Sequence, residues 1–390
     1  MRLLHTSDWH LGRSLHGFTL HAEQSAAVDA IIRLAAEQAV DVVVVAGDVF
    51  DRAVPPVEAL RLLNSALARL DELGVLTIIT AGNHDSGDRL ATYSGLLRDR
   101  VRLVGSLSDV GTPIEVDDEY GPVLIYPLPY LEPDIARHEL ADADGALARS
   151  HESVMAAALT RIGTDIESRG GPRAVAIGHA FVADVAVSAD ITTESERDLT
   201  IGGVQVVPSG LFAGRGLTYV AMGHLHRPQL MRQAEPTIAY SGSLLRYSLS
   251  ESGHGKSVVL VDIGAPNVPV AFERIALPEG RGMARLTGSM ADLLGEAHLT
   301  NRPDFVELIV TDAAYPERMH ARLDEVFPFA LRKEHRPAGV NVEAHGVRGD
   351  ARGRDPVEVM SDFVYKVTGR EATATEIDLL RSVYEDVRPG

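Results

Sequence analysis

"VDVVVVAGDVFD", Val40 to Asp51, decides the reading of the chain. Its first seven residues are β-branched and small apolar side chains with one early acid, the pattern of a strand covered on both faces. A buried strand has no use for a glycine and two carboxylates, Asp48 and Asp51, yet these are set where the strand ends. The same juncture recurs. "MRLL" runs into "HTSDWH" (His5 to His10), "VLTIITA" into "GNHD" (Gly82 to Asp85), "AVAI" into "GHA" (Gly178 to Ala180) and "TYVAM" into "GHLH" (Gly223 to His226). One "GD" or "GH" behind a strand is ordinary turn chemistry, because Gly, Asp and Asn serve turns for conformational reasons. Five such strand ends in one chain point to a common cause.

Around these junctures, from Met1 to about Ile263, short apolar runs alternate with helical spacing. The strands read as "DVVVV", "LTIIT", "VLIYPL", "AVAI", "TYVAM", "TIAYS" and "SVVLVDI". Leu60, Leu63, Leu67 and Leu70 recur at helical intervals, as do Val28, Ile31, Ile32 and Ala35. The class is α/β, with helices packed outside buried sheets. In open sheets of this kind ligands sit beyond the carboxyl ends of the strands, which is where the polar residues lie. Pro and Gly break the pattern at "IGAPNVPV", Ile263 to Val270. Beyond it, "FERIAL", "SMADLLGEA", "DFVELIVT" and "ERMHARLDEVF" read as strand, helix, strand, helix, enough for a small α/β domain of about 80 residues. "AHGVRGDARGRD" reads as a linker. Asp355, Pro356 and Glu358 mark a capped helix start, Gly369 its stop, and a last helix starts near Thr375. The expected divisions are 1–265, a cap over 270–345 and terminal helices over 355–388.

Composition narrows the function. The chain of 390 residues has 45% apolar and 24% charged residues, which is ordinary globular usage. It has no cysteine, so thiolate catalysis and Cys-ligated zinc are excluded. No apolar run approaches the roughly 20 residues of a membrane span, and no targeting signal precedes the first strand. A cytoplasmic protein away from membranes is expected. The net charge of −18 argues against gripping nucleic acid through the overall field, so a polyanionic substrate would need local basic loops, divalent ions or a partner subunit.

The strand-end residues are Asp8, His10, Asp48, Asn83, His84, His179, His224 and His226. Carboxylate, imidazole and amide oxygen together suit divalent Mn, Mg, Zn or Fe. In a strand-end loop the D-x-H and H-x-H spacings can turn both side chains toward one cavity. The set exceeds what a single tetrahedral ion takes, so a pair of ions is the economical reading. His84, next to a ligand-type Asn83, has the context of a proton-transfer residue. Other histidines, among them His5, His16, His138 and His254, lack this context and are read as surface or packing residues.

The ordered set "DWHLG", "GDVFD", "GNHD", "GHA" and "GHLHRPQ" resembles the calcineurin-like metallophosphoesterases. "SDWHLGRSLHG", "GDVFDRAVPP", "ESERDLTIGG" and "YSGSLLRYSLSE" are similar in wording to one branch of them, SbcD, the nuclease subunits of bacterial double-strand-break repair. The resemblance implies two packed mixed β-sheets flanked by helices, with a cap that binds DNA and terminal helices that dock on a partner's coiled coil. It implies two Mn²⁺, with Mg²⁺ as an alternative. Asp8, His10 and His226 would hold one ion, Asn83, His179 and His224 the other, with Asp48 bridging, His84 catalytic, and Asp85 and Asp51 in support. Archaeal relatives can carry His at the Asp51 position. The implied activity is exonuclease on duplex ends and endonuclease on hairpin and single-stranded DNA, in repair, replication and recombination. The nuclease subunit would be a homodimer within a heterotetramer with the ATPase SbcC. A calcineurin-like phosphatase acting on a small molecule or phosphoprotein is the alternative, and a metal-free scaffold would have lost ligands, of which none is missing.

Overall fold

A computed structural model describes the chain apart from residues 98, 142–144, 184–205, 232–234, 279, 338–354, 369 and 388–390. The "ESERDLTIGG" stretch and the expected linker therefore lie outside the described residues. The chain divides into two compact units, Met1–Ala284 with Asn301–Val306, and Arg285–Thr300 with Glu307–Gly390.

The first unit is α/β with two mixed six-stranded sheets. One runs Ala271–Ala276, Ser257–Asp262, Arg2–Thr6, Val42–Ala46, Leu76–Thr80, Val101–Val104 in spatial order. Its last four strands are mutually parallel, and the first two pair antiparallel. The other runs Gln229–Met231, Thr237–Tyr240, Tyr219–Gly223, Arg173–His179, Gly121–Pro127, Ile114–Asp118, parallel in its four central members. The sheets face each other through alternate residues: Leu3, Val42, Val44 and Ile78 from one and Val123, Ile125, Val175, Ile177 and Ala221 from the other form one buried cluster. On the far face of the second sheet, Leu124, Tyr126, Ala176 and Val220 pack with Val154, Ala158, Leu159 and Ile162 of the helix His151–Ser168. Burial on both faces is why these strands read as unbroken apolar runs.

Helix His21–Glu37 buries Val28, Ile31, Ile32 and Ala35 as the spacing predicts. In Val57–Glu72 the buried stripe is Ala59, Leu63, Ala66 and Leu70, while Leu60 is exposed. Spacing alone allows either stripe, and the elements the helix packs on, His21–Glu37 and Leu76–Thr80, choose between them.

"FERIAL" departs from expectation. It is a strand of the first sheet, Ala271–Ala276, paired antiparallel to Ser257–Asp262 with Phe272 opposite Val261. The Pro- and Gly-containing stretch before it is a hairpin connection, since the same residues serve turns and domain linkers alike. The small sheet comprises Met283–Gly288, Phe305–Val310 and Ala330–His335. Helices Met290–Leu294 and Met319–Val326 contribute buried Met290, Leu293, Met319 and Leu323. The first of them opens on a capping box between Ser289 and Asp292. Helix Pro356–Thr368 starts with the Asp355 carboxylate accepting from Val357 N at 2.7 Å, and Ala374–Val387 with a reciprocal Thr373–Glu376 pair. The two terminal helices pack on each other. No helix among the described residues is long and apolar enough to cross a membrane.

Candidate metal centre

All five polar strand ends converge between the carboxyl ends of the two sheets. Asp8, His10, Asp48 and His224 have φ of 50°, 44°, 50° and 101°, a left-handed backbone that non-glycine residues avoid and that costs about 1–3 kcal/mol each. The loops are over-determined to hold it. Asp8 N donates to Gly47 O at 3.1 Å and His10 N to Asp48 O at 2.9 Å. His224 N donates to Asp8 Oδ1 at 3.0 Å, which ties the two sheets' loops together. Two glycines are required by close approach: a Cβ on Gly82 would sit 2.2 Å from Asp48 N, and one on Gly223 would sit 1.8 Å from Ala46 O.

The donor atoms form two groups. His10 Nε2 and His226 Nε2 are 3.1 Å apart, and Asp8 offers a carboxylate oxygen to the same point. Asn83 Oδ1 lies 2.9 Å from His179 Nε2 and 3.2 Å from His224 Nδ1. Asp48 Oδ2 stands between them, 3.6 Å from His10 Nε2 and 3.4 Å from His179 Nε2. His84 Nε2 is 3.9 Å from the same oxygen. Asp8, His10, Asp48, His179, His224 and His226 are all buried.

The arrangement fits divalent cations on its hydrogen-bond chemistry. His179 Nδ1 must donate to Ala46 O at 2.9 Å, so in the neutral ring Nε2 faces the Asn83 oxygen lone pair to lone pair. His226 Nδ1 is turned to a carboxylate, so in the neutral ring Nε2 presents its lone pair toward His10 Nε2. A cation between such atoms can accept these lone pairs together. Ligands at right angles around an ion at about 2.1 Å are about 3.0 Å apart, close to these separations. Without a cation, a proton supplies part of that positive charge. Burial would push the Asp48 carboxyl up, but His179, His10 and His84 beside it hold it well below the usual range. Burial lowers His179, yet Asp48 outweighs it and the ring is pushed up to about 9. Burial and His179 push His224 down to about 3, and burial holds His10 well below its ordinary value.

Asp85 braces the loop rather than an imidazole: its carboxylate accepts from Val49 N, Phe50 N and Gly82 N at 3.1, 2.9 and 2.9 Å. Burial and the nearby Asp48 push it up to about 6. The backbone oxygen of Asp51 accepts from His84 Nδ1 at 2.8 Å, and its carboxylate pairs with Arg13 at 3.1 Å. Four supporting residues escaped the sequence reading. Buried Gln24 donates to His10 O at 2.6 Å and accepts from Gly12 N at 3.1 Å. Tyr247 donates to Trp9 O and sets its ring against His10 and His226. Glu251 and Lys256 lie behind His226. Tyr247 and Glu251 fall within "YSGSLLRYSLSE", so the signal was in a motif whose purpose was unread.

Residues 1–228 match the family model described as calcineurin-like phosphoesterase. The chain belongs to that family. Calcineurin-like phosphoesterases are metal-dependent hydrolases with a dimetal centre, so the grouped donors are candidate ligands of such a centre. Residues 279–368 match a second model, SbcD_C, described as type 5 capsule protein repressor C-terminal domain. Among solved structures, the chain is similar to TT1561 of Thermus thermophilus, at 12% identity and TM-score 0.40 over 70% of this chain and 98% of that one. A dimetal phosphatase from Danio rerio matches at 13% and 0.39 over 70% and 98%. GAP50, the anchor in the inner membrane complex of Plasmodium, matches at 10% and 0.40 over 71% and 84%.

Proposed function

We propose that this phosphoesterase is an SbcD-type nuclease, hydrolysing DNA phosphodiester bonds at two Mn²⁺, with Mg²⁺ able to replace them. The observation that carries the chemistry is Asp48 Oδ2 standing between the two donor groups with His84 Nε2 beside it. The match of residues 279–368 supports the choice of DNA over other phosphoesters. Asp8, His10 and His226 would hold one ion, Asn83, His179 and His224 the other, with Asp48 shared between them. When bound, the two ions supply positive charge to both sides of an in-line displacement at phosphorus. His84 Nδ1 is committed to the Asp51 carbonyl, so only Nε2 faces the site, and in the imidazolium form that atom delivers a proton to the leaving 3′ oxygen. The exonuclease works on duplex ends and the endonuclease on hairpins and single strands, in cytoplasmic DNA repair, replication and recombination. The cap, which begins after the strand Ala271–Ala276, contacts DNA, and the nuclease subunits form a homodimer bound to SbcC.

Digestion of end-labelled duplex and hairpin DNA with Mn²⁺, with and without chelator, tests the reading beside p-nitrophenyl phosphate. Chelator-sensitive DNA cleavage is expected, and turnover of the small ester alone would favour a phosphatase. The terminal helices test the partner. Met360, Val364, Ile377, Leu380 and Tyr384 are half-buried, and the side chains of Val367 and Val387 lie outside the described residues. Phe363 is 66% and Leu379 63% exposed, an apolar surface suited to a helical groove. Phe363→Asp is expected to leave the melting temperature within about 2 °C and to weaken association with SbcC. Deletion after Asp350 should do the same while sparing cleavage of short DNA.

A further inference from the structure

Glu251 is wholly buried at the end of the turn Leu249–Glu251. Its Oε1 lies 3.3 Å from His226 Nδ1 and accepts from Ser248 Oγ at 3.1 Å. Its Oε2 accepts from Lys256 Nζ at 2.6 Å. Lys256, also buried, spends its other two protons on Ser243 Oγ at 2.8 Å and on the backbone oxygen of His226 at 2.9 Å. The pair thus grips His226 from the ring and from the backbone. An apolar pair of the same volume would hold a fold as well or better, since burying two charges costs several kcal/mol in desolvation. What an apolar pair could not do is orient an imidazole. A carboxylate only accepts, so Nδ1 must carry the proton and Nε2 must present a lone pair toward Asp8 and His10.

We propose that Glu251, held by Lys256, is the positioning residue that fixes the tautomer and aim of His226, so that the ion of the Asp8–His10 half depends on a carboxylate outside the ligand set. The inference rests on the two-ion reading of the centre and deepens it. Outer carboxylates of this kind are worth about 10–100-fold in metal affinity.

The test is a Mn²⁺ titration of the whole chain without DNA, counting bound ions from the free-Mn²⁺ paramagnetic resonance signal. Glu251→Leu with Lys256→Met is expected to keep a cooperative melt without metal and to lose affinity for one of two ions by about 10–100-fold. Glu251→Gln with Lys256→Met, whose amide oxygen still accepts from Nδ1, should keep most of it. Two ions bound at wild-type affinity by the Leu/Met protein would overturn the inference. So would equal loss of both ions, or a Gln/Met protein as weak as Leu/Met. Should the Leu/Met protein fail to fold, ¹⁵N-histidine spectra of the metal-free wild type decide: an Nδ1–H tautomer at His226 supports the assignment and an Nε2–H tautomer sinks it. Wild-type chain that binds two Mn²⁺ yet leaves DNA intact would defeat the nuclease reading and leave this one standing.

Discussion

On the side of Asp8, His10 and His226 four buried side chains brace the candidate ligand loops, whereas on the side of Asn83, His179 and His224 one carboxylate, Asp85, and a backbone carbonyl do so. Gln24, Tyr247, Glu251 and Lys256 all brace the first group. In the second, among the described residues, Asp85 gathers Val49 N, Phe50 N and Gly82 N beside Asn83 and Ala46 O fixes the His179 ring, while Tyr130 and Phe181 stand 6.3 and 6.5 Å from His179 and His224 as rings without a bond to either. Side-chain networks in a low-dielectric interior rigidify because each member left unsatisfied is costly. The difference teaches that one half of the candidate centre is the more heavily preset, and predicts that the other leans more on cations for order.

Asp48 belongs to both halves, and its loss tests whether they form one centre at all. Asp48→Ala is expected to bring Mn²⁺-dependent hydrolysis to the chelator background with an unchanged circular dichroism spectrum. Calorimetry should find neither ion bound at wild-type affinity. An Asp48→Ala protein that retains one ion tightly would show the halves to be independent. His84 belongs to neither. His84→Gln should keep both ions and lose about 10²–10⁴-fold in rate, and metal loss in proportion to activity would move His84 into the ligand set.

Acidity separates the halves further. Neutral His179 is needed to bind a cation, and in the metal-free protein it keeps its proton up to about 9 because of Asp48. Affinity for the second ion should therefore rise with pH by up to tenfold per unit from 7 to about 9. His10, held well below its ordinary value by burial, releases no proton over that range. For stability the sign reverses. A folded-state value raised above the ordinary 6.5 contributes stability that is fully present below 6.5 and is lost as pH rises through about 9. Melting temperatures measured in chelator should fall across that window, and His179→Gln should flatten the fall.

The halves also differ in how much of them could be read from sequence. The candidate ligands were legible because each is a polar residue placed where a buried strand stops, and the two opposed sheets bring such ends together. The braces were not. Gln24 sits one helical turn before Val28 on the buried stripe of its helix, where a polar residue reads as an error in the pattern. Glu251 and Lys256 lie in "SLSESGHGKS", whose composition reads as a solvated loop, and only their mutual pairing allows their burial. "FERIAL" was misplaced for a related reason: a strand's partner is set by pairing across the sheet, which local pattern does not encode.

Gln24 offers the smallest and sharpest test of the preset half. Its amide nitrogen donates to His10 O, and its amide oxygen accepts from Gly12 N, so it clips the loop that carries both Asp8 and His10. Truncation leaves a buried carbonyl and a buried N–H without that partner, at about 1–3 kcal/mol. Part of that cost should appear as loop disorder, because the left-handed backbone at Asp8 and His10 persists only under such constraint. Gln24→Ala should therefore lower the melting temperature by a few degrees and weaken the first ion by about tenfold, with the second ion's affinity unchanged. Gln24→Glu separates the two functions of the amide, since a carboxylate can accept from Gly12 N but cannot donate to His10 O. If the loop needs only the acceptor, that variant will bind both Mn²⁺ as wild type does. If it needs the donor, as the 2.6 Å contact to His10 argues, it will resemble the alanine variant. Uniform weakening of both ions by Gln24→Ala would show that the braced side is no more independent than the other, and the asymmetry between the halves would have to be abandoned.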